Sequence, residues 1–204
     1  VSPYPNAILG LDPNHGHPPL AKLLIALSMH FLGDNAYGWR IPSVIFGSLS
    51  ILVFYMLMKK VAVEYKSIPI IATFLFSWDN LVFVQSRIAM LDIFALTFMI
   101  LGLYWYFSGS AYLSAIGMAL STLSKLTGAA GILAVVIIHF ARFVRDRTKP
   151  RPWKALSWWS VRYLAAYLLS FLLLLVLLDR FWVGYDNPLT HIQLIFRSSA
   201  ALKS

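Results

Sequence analysis

Five basic residues stand in or beside predominantly apolar stretches: His17, Lys22, Arg40, Arg87 and Lys125. His17 and Lys22 belong to "NHGHPPLAKLLIA", where two histidines and two prolines precede a short apolar run. Arg87 belongs to "FSWDNLVFVQSRIAMLDIF", which also holds Asp79, Asn80, Gln85 and Asp92, and Lys125 lies in "STLSKLTGAAG". Ionisable groups in such stretches are costly unless they face a partner or a polar cavity. A dispersed set of cations at one level suits an anionic phosphate, which they would hold by charge-assisted hydrogen bonds. On this reading Asp79, Asn80 and Asp92 orient Arg87, and Arg40 supports from the side. Each motif also has a plainer reading. The proline-rich step could be a connector, Arg87 could pair with Asp92 or Asp79 as helix–helix glue, and Lys125 could snorkel to a membrane surface.

Other chemistries find less support. His15 and His17 are too few for a zinc site and lack an H-E-x-x-H context. There is no G-x-S-x-G elbow and no Walker loop. The 204 residues include no cysteine, which removes disulfides, thiolate ligands and thiol nucleophiles. No metal and no other cofactor is expected.

The elements that must position these residues are membrane helices. Hydrophobic residues make up 59% of the chain and charged ones 12%, with a mean hydropathy of +0.72, more apolar surface than a soluble domain of this length can bury. Apolar runs at 41–58, 68–85, 90–107, 111–123, 128–143 and 163–182 predict about six spans. Pro18 and Pro19 can start a helix but not sit inside one, and "GDN" at 33–35 stops it, so Leu20–Leu32 is predicted as a short helix lying in the membrane interface. Lys22, Ala26 and His30 share one stripe of it. Tyr37, Trp39 and Arg40 read as an interfacial anchor, with Pro42 opening the first span. The expected organisation is an outer loop over 1–40, a transmembrane core over 41–182 and the start of a second outer loop over 183–204.

Charge sets the orientation. The formal net charge of +9 would suggest nucleic acid in a soluble protein, but here the basic residues fall between apolar runs. Lys59, Lys60, Lys66, Arg142, Arg145, Arg147, Lys149, Arg151, Lys154 and Arg162 collect on one side with only Glu64 and Asp146 against them. That side is expected to be cytoplasmic, which puts Asp12, Asp34, Asp79, Asp92, Asp179 and Asp186 outside. Trp153, Trp158 and Trp159 then read as a cytoplasmic aromatic belt.

The motifs "GHPPLAKLLI", "YGWRIPSVIFG", "WDNLVFVQSRIAMLDIF", "LSTLSKLTG" and "NPLTHI", in this order, resemble the protein O-mannosyltransferases, the dolichyl-phosphate-mannose–protein mannosyltransferases, in a prokaryotic or archaeal form. HPPL alone is shared among lipid-dependent glycosyltransferases; HPPLxK followed by W-R-x-P and D-N-x(6)-R-x(4)-D is more specific. The resemblance implies an all-α, polytopic GT-C fold with short helices on the membrane in its first outer loop. It implies transfer of mannose from a polyprenyl (dolichyl) phosphate carrier to Ser or Thr hydroxyls of an acceptor protein, with inversion. It also implies a catalytic acidic pair just after a preceding span, so the base is expected upstream of residue 1. Asp12 is not assigned that role. Arg87, Lys125, Lys22 and His17 become the expected donor-phosphate ligands.

Two other readings stay open. Another GT-C transferase could use aminoarabinose with lipid A, or a glycan acceptor. A transporter would need polar residues near mid-membrane or at the inner face, whereas these cluster at outer ends. The expected partners are the lipid-linked donor, the acceptor protein and the bilayer, without nucleic acid; dimerisation stays open. The expected location is the plasma membrane if the source is prokaryotic.

Overall fold

The computed structural model describes residues 16–145, 153–180 and 188–201. His15, Asp12, the basic run 146–152 and the predicted loop start at 183–187 lie outside them. The described residues form nine α-helices and one 3₁₀ turn, with no strand: α1 Leu20–Leu32, α2 Ala36–Val61, α3 Ser67–Trp78, α4 Asn80–Gln85, α5 Asp92–Phe107, α6 Ala111–Ser124, the turn Leu126–Ala129, α7 Ala130–Arg145, α8 Trp153–Asp179 and α9 Pro188–Ala201. Ala36–Val61, Leu126–Arg145 and Trp153–Asp179 are long and apolar enough to cross a membrane; α1, α3, α5 and α6 are shorter apolar helices. The all-helical architecture is that of a polytopic membrane protein.

The helix α1 has the bounds its sequence predicts. Pro19 caps it, with its carbonyl accepting from the Leu23 N–H at 2.9 Å. Gly33 ends it at φ 86°, a conformation that favours glycine, and returns its N–H to the Met29 carbonyl at 2.8 Å. The chain then reverses tightly. Asn35 caps α2 by accepting from the Tyr37 and Gly38 N–H groups, and a Cβ on Gly38 would sit 2.1 Å from the Gly33 carbonyl oxygen. This cap moves the start of α2 ahead of the expected position. Pro42 therefore lies inside the helix rather than opening it.

Two further boundaries differ from expectation. The run 68–85 is broken at Asp79, whose extended backbone ends α3 and whose carboxylate accepts from the Val82 N–H at 3.0 Å. An aspartate offering its own cap competes with continuation of the helix. The helix α8 begins at Trp153, so 153–162, expected as linker, is helical.

The middle of the bundle is joined by small residues. A Cβ on Gly117 would lie 2.8 Å from the Gly102 Cα, so α5 and α6 touch at their backbones. Ser121 Oγ donates to the Ala95 carbonyl at 2.7 Å across the same seam. Thr97 Oγ1 donates to the Phe46 carbonyl at 3.0 Å, tying α5 to α2. Tyr163 and Tyr167 of α8 reach Ser114 and Thr122 of α6 at 3.0 and 3.1 Å. One buried cluster, centred on Met118, Ala119, Val135 and Tyr167, fills the α6–α8 region; a second, with Ala21, Val82, Ile93 and Phe94, joins α1 and α4 to the start of α5.

Candidate functional site

The seam between α5 and α6 fixes an ion pair. Asp92 is the first residue of α5 and Lys125 the residue that caps the end of α6. The two helices are antiparallel neighbours, so a helix N-terminus and a helix C-terminus meet at one end of the bundle. An acid suits the first and a cation the second. Lys125 Nζ donates to Asp92 Oδ1 at 2.6 Å, with both side chains largely but not wholly buried. Gly128 holds the turn beyond Lys125 against α6. Its N–H donates to the Lys125 carbonyl at 2.8 Å, and a Cβ there would lie 2.4 Å from Ser121 Oγ.

The helix α1 closes over this pair. Lys22 Nζ donates to the His17 carbonyl at 2.6 Å, which turns the amine back toward the proline step. His17, Lys22, Asp92 and Lys125 line one cavity of about 330 Å³, whose apolar wall is Ile25, Ala26 and Met29 of α1 and Ala89, Met90 and Leu91 of the turn before α5. Positions 22, 25, 26 and 29 form one face of α1; His30, expected on that stripe, is exposed and does not line the cavity. Asp92 also borders a second, apolar groove of about 290 Å³ between α4, α5 and the turn before α7, walled by Leu81, Val82, Ile93, Leu96 and Met99. A charged chamber and a hydrocarbon groove thus share one carboxylate.

The remaining candidate residues fall elsewhere. Arg87 pairs with neither Asp92 nor Asp79. Its guanidinium lies 3.5 Å from the centre of the Phe83 ring, on the outside of the turn whose next residues wall the cavity. The pairing expected from the sequence fails because Lys125, 33 positions away, takes Asp92, and Val82 takes Asp79. Asn80 borders a separate depression with Ser77, Trp78 and Phe83. Arg40 is exposed on the first turns of α2 and does not line the cavity. Gly47 instead braces the Arg87 turn, since a Cβ there would sit 2.3 Å from Ser86 Cβ.

One polar pair escaped the sequence reading. His191 Nδ1 and Asp179 Oδ1 are 2.7 Å apart with side chains 1% and 4% exposed, joining α9 to the end of α8. An aspartate closing a long apolar run was the available signal, but its partner lies 12 positions on, in a different helix.

The family model for dolichyl-phosphate-mannose-protein mannosyltransferase matches residues 13–187. Curated relatives carry the name polyprenol-phosphate-mannose–protein mannosyltransferase. The chain is 38% identical to the protein from Corynebacterium glutamicum over 101 residues, covering 47% of this chain and 19% of the relative. It is 31% identical to that from Mycolicibacterium smegmatis over 90 residues, 43% of this chain and 17% of the relative. It is 30% identical to that from Mycobacterium tuberculosis over 96 residues, 46% and 18%. The aligned stretch therefore spans less than a fifth of the length of these relatives. No solved structure matches the chain. The family match extends over the HPPL step, the Arg87 segment and Lys125, the same stretches that build the cavity and its rim, and on that match the chain belongs to the dolichyl-phosphate-mannose-protein mannosyltransferase family.

Proposed function

We propose that the cavity is the donor-phosphate chamber of an inverting membrane mannosyltransferase, which passes mannose from a polyprenyl (dolichyl) phosphate to Ser or Thr hydroxyls of proteins. The observation that carries this reading is the convergence of His17, Lys22 and Lys125 on one chamber at Asp92. Lys22 and Lys125 bring two ammonium groups to its lining, beside the Asp92 carboxylate. The donor phosphodiester carries one negative charge. When the C1–O bond breaks, its electron pair stays on the phosphate oxygen and adds a second. Ammonium groups already in place at that oxygen stabilise the product-like state more than the ground state. The acceptor hydroxyl attacks the anomeric carbon from the opposite face and gives its proton to a base. We assign the base to the acidic pair that the family resemblance implies just after a preceding span. Asp92 is already committed to Lys125.

Helix lengths support a recessed chamber. The helices α5 and α6 have 16 and 14 residues, about 24 and 21 Å, against a hydrocarbon core of roughly 30 Å. With their far ends at the cytoplasmic surface, the Asp92–Lys125 pair lies several ångströms inside the outer boundary, roofed by α1. The apolar groove beside Asp92 suits the first isoprene units of the carrier. Arg87 would leave the Phe83 ring to meet the phosphate as charge develops. Residues 1–40 then face outward and 59–66 inward, in the plasma membrane of a prokaryotic source.

The test is transfer from polyprenyl-phosphate-mannose to a Ser/Thr peptide by the full-length enzyme. His17→Ala and Lys22→Ala should lose activity while inserting normally, with the apparent KM for donor raised in Lys22→Ala. Unchanged donor dependence in both would return the proline step to a connector.

A further inference from the structure

At the opposite end of the bundle from the ion pair, α6 and α8 leave a groove that mannosyl transfer does not use. It has a volume of about 420 Å³ and is lined chiefly by Tyr112, Trp158, Trp159, Arg162, Tyr163 and Ala166. That volume falls within the range of small-molecule sites, roughly 300–1,000 Å³. Arg162 Nη2 donates to the Tyr112 hydroxyl at 2.7 Å. Its partner is thus a phenol and not a carboxylate, so the charge is held in place without being neutralised. The other N–H groups of the fork remain for a ligand. Lys154 stands two turns before Arg162 on the same stripe, with Trp158 between them.

The aromatic wall is built by ring stacking. Trp159 stacks on His139 with centroids 3.5 Å apart and on Tyr163 at 5.1 Å, and the Tyr106 hydroxyl meets His139 Nδ1 at 3.0 Å. Helix length places the groove in depth. The helix α8 has 27 residues, about 40 Å, which exceeds a hydrocarbon core of roughly 30 Å by about seven residues. With Asp179 at the far boundary, residues 153–159 stand in the headgroup layer and Arg162 lies just beneath it. Trp and Tyr favour that layer, and basic pockets between helices there hold anionic headgroups.

We infer that this groove binds an anionic phospholipid, its phosphate on Arg162 and its glycerol and first methylenes against Trp158, Trp159 and Tyr163. The site is independent of mannosyl transfer; only its assignment to the inner leaflet rests on the proposed orientation.

The experiment is native mass spectrometry of the detergent-solubilised full-length protein with equal phosphatidylglycerol and phosphatidylcholine. Preferential retention of phosphatidylglycerol is expected. One headgroup-level cation contributes about fivefold, so Arg162→Ala should lower that preference about five- to tenfold and Arg162→Lys should keep part of it. Trp158→Ala, a change at an exposed ring, should weaken retention of both lipids and serves if Arg162→Ala does not fold. Loss of the preference in Lys125→Ala but not in Arg162→Ala would assign the lipid to the donor chamber and overturn the proposal. Equal retention of the two lipids, or indifference to Arg162→Ala, overturns the proposal. Displacement of phosphatidylglycerol by excess inorganic phosphate overturns the lipid in favour of a soluble phosphate.

Discussion

Breaking the Asp92–Lys125 pair should reveal coupling between two helix ends. The contact is 2.6 Å, with the lysine side chain 25% and the aspartate 35% exposed. Exposed pairs contribute ~0.2–1 kcal/mol, and removing one partner of a fully buried pair costs ~3–5 kcal/mol. A pair of this burial falls between, at a coupling of about 1–2 kcal/mol. Each group also sits at the helix end that favours its sign, for about 0.3–1 kcal/mol apiece. Asp92→Asn and Lys125→Met should therefore each destabilise the full-length protein by about 2 kcal/mol, the larger part from the lost partner. The double variant should cost less than the two singles together, by about 1–2 kcal/mol. Equilibrium unfolding in mixed micelles, followed by circular dichroism, reads all four corners of the cycle. Additivity to within ~0.3 kcal/mol would refute the pair as an energetic unit and reduce Asp92 to a solvated helix terminus.

Other consequences follow from the same geometry. Gly128→Ala drives a Cβ into Ser121 backbone at 2.5 Å, which cannot yield as a side chain would; a loss of roughly 1–3 kcal/mol and a lower thermal midpoint are expected, and an unchanged midpoint would mean the turn after Lys125 is loose. Arg87→Ala should lower mannosyl transfer by orders of magnitude, since a lost contact to developing charge costs ~2–4 kcal/mol. Arg87→Lys should recover only part, because a fork is replaced by a point charge; wild-type rates in folded Arg87→Ala protein would leave Arg87 as a surface cation on Phe83. Ser67→Cys and Ser157→Cys should resist labelling from outside intact cells while Asn14→Cys reacts, and the reverse pattern would invert the orientation.

What could be read from the sequence was local. Residues 20–32 are bracketed by Pro-Pro and Gly-Asp-Asn, and both signals act on their own backbone, so the helix has its expected limits. The same reasoning missed the break at Asp79. An Asp-Asn step in a run of apolar residues reads as part of the span, although its capping carboxylate stops the helix. The early start of α8 was hidden by the prolines and cations before it, yet 155, 158, 159, 162, 163 and 166 follow a helical stripe facing α6. The site divides along the same line. His17 and Lys22 are five apart and meet through a local hydrogen bond, so their association was legible. Asp92 has Arg87 nearby and Lys125 far off in sequence, and packing of α5 on α6 chose the distant partner. Arg87 turned instead to Phe83, one helical turn back.

The assignment of the donor phosphate to the chamber at Asp92 carries the proposed function. Its most direct measurement is equilibrium binding of a polyprenyl phosphate to the purified full-length enzyme. Charge-assisted hydrogen bonds contribute ~1.5–3 kcal/mol, so Lys125→Ala should weaken binding by about ten- to a hundredfold. Lys22→Ala should weaken it by a similar factor, with an uncharged polyprenol affected by neither change. An affinity within about twofold of wild type in both variants would contradict the assignment of this chamber to the phosphate.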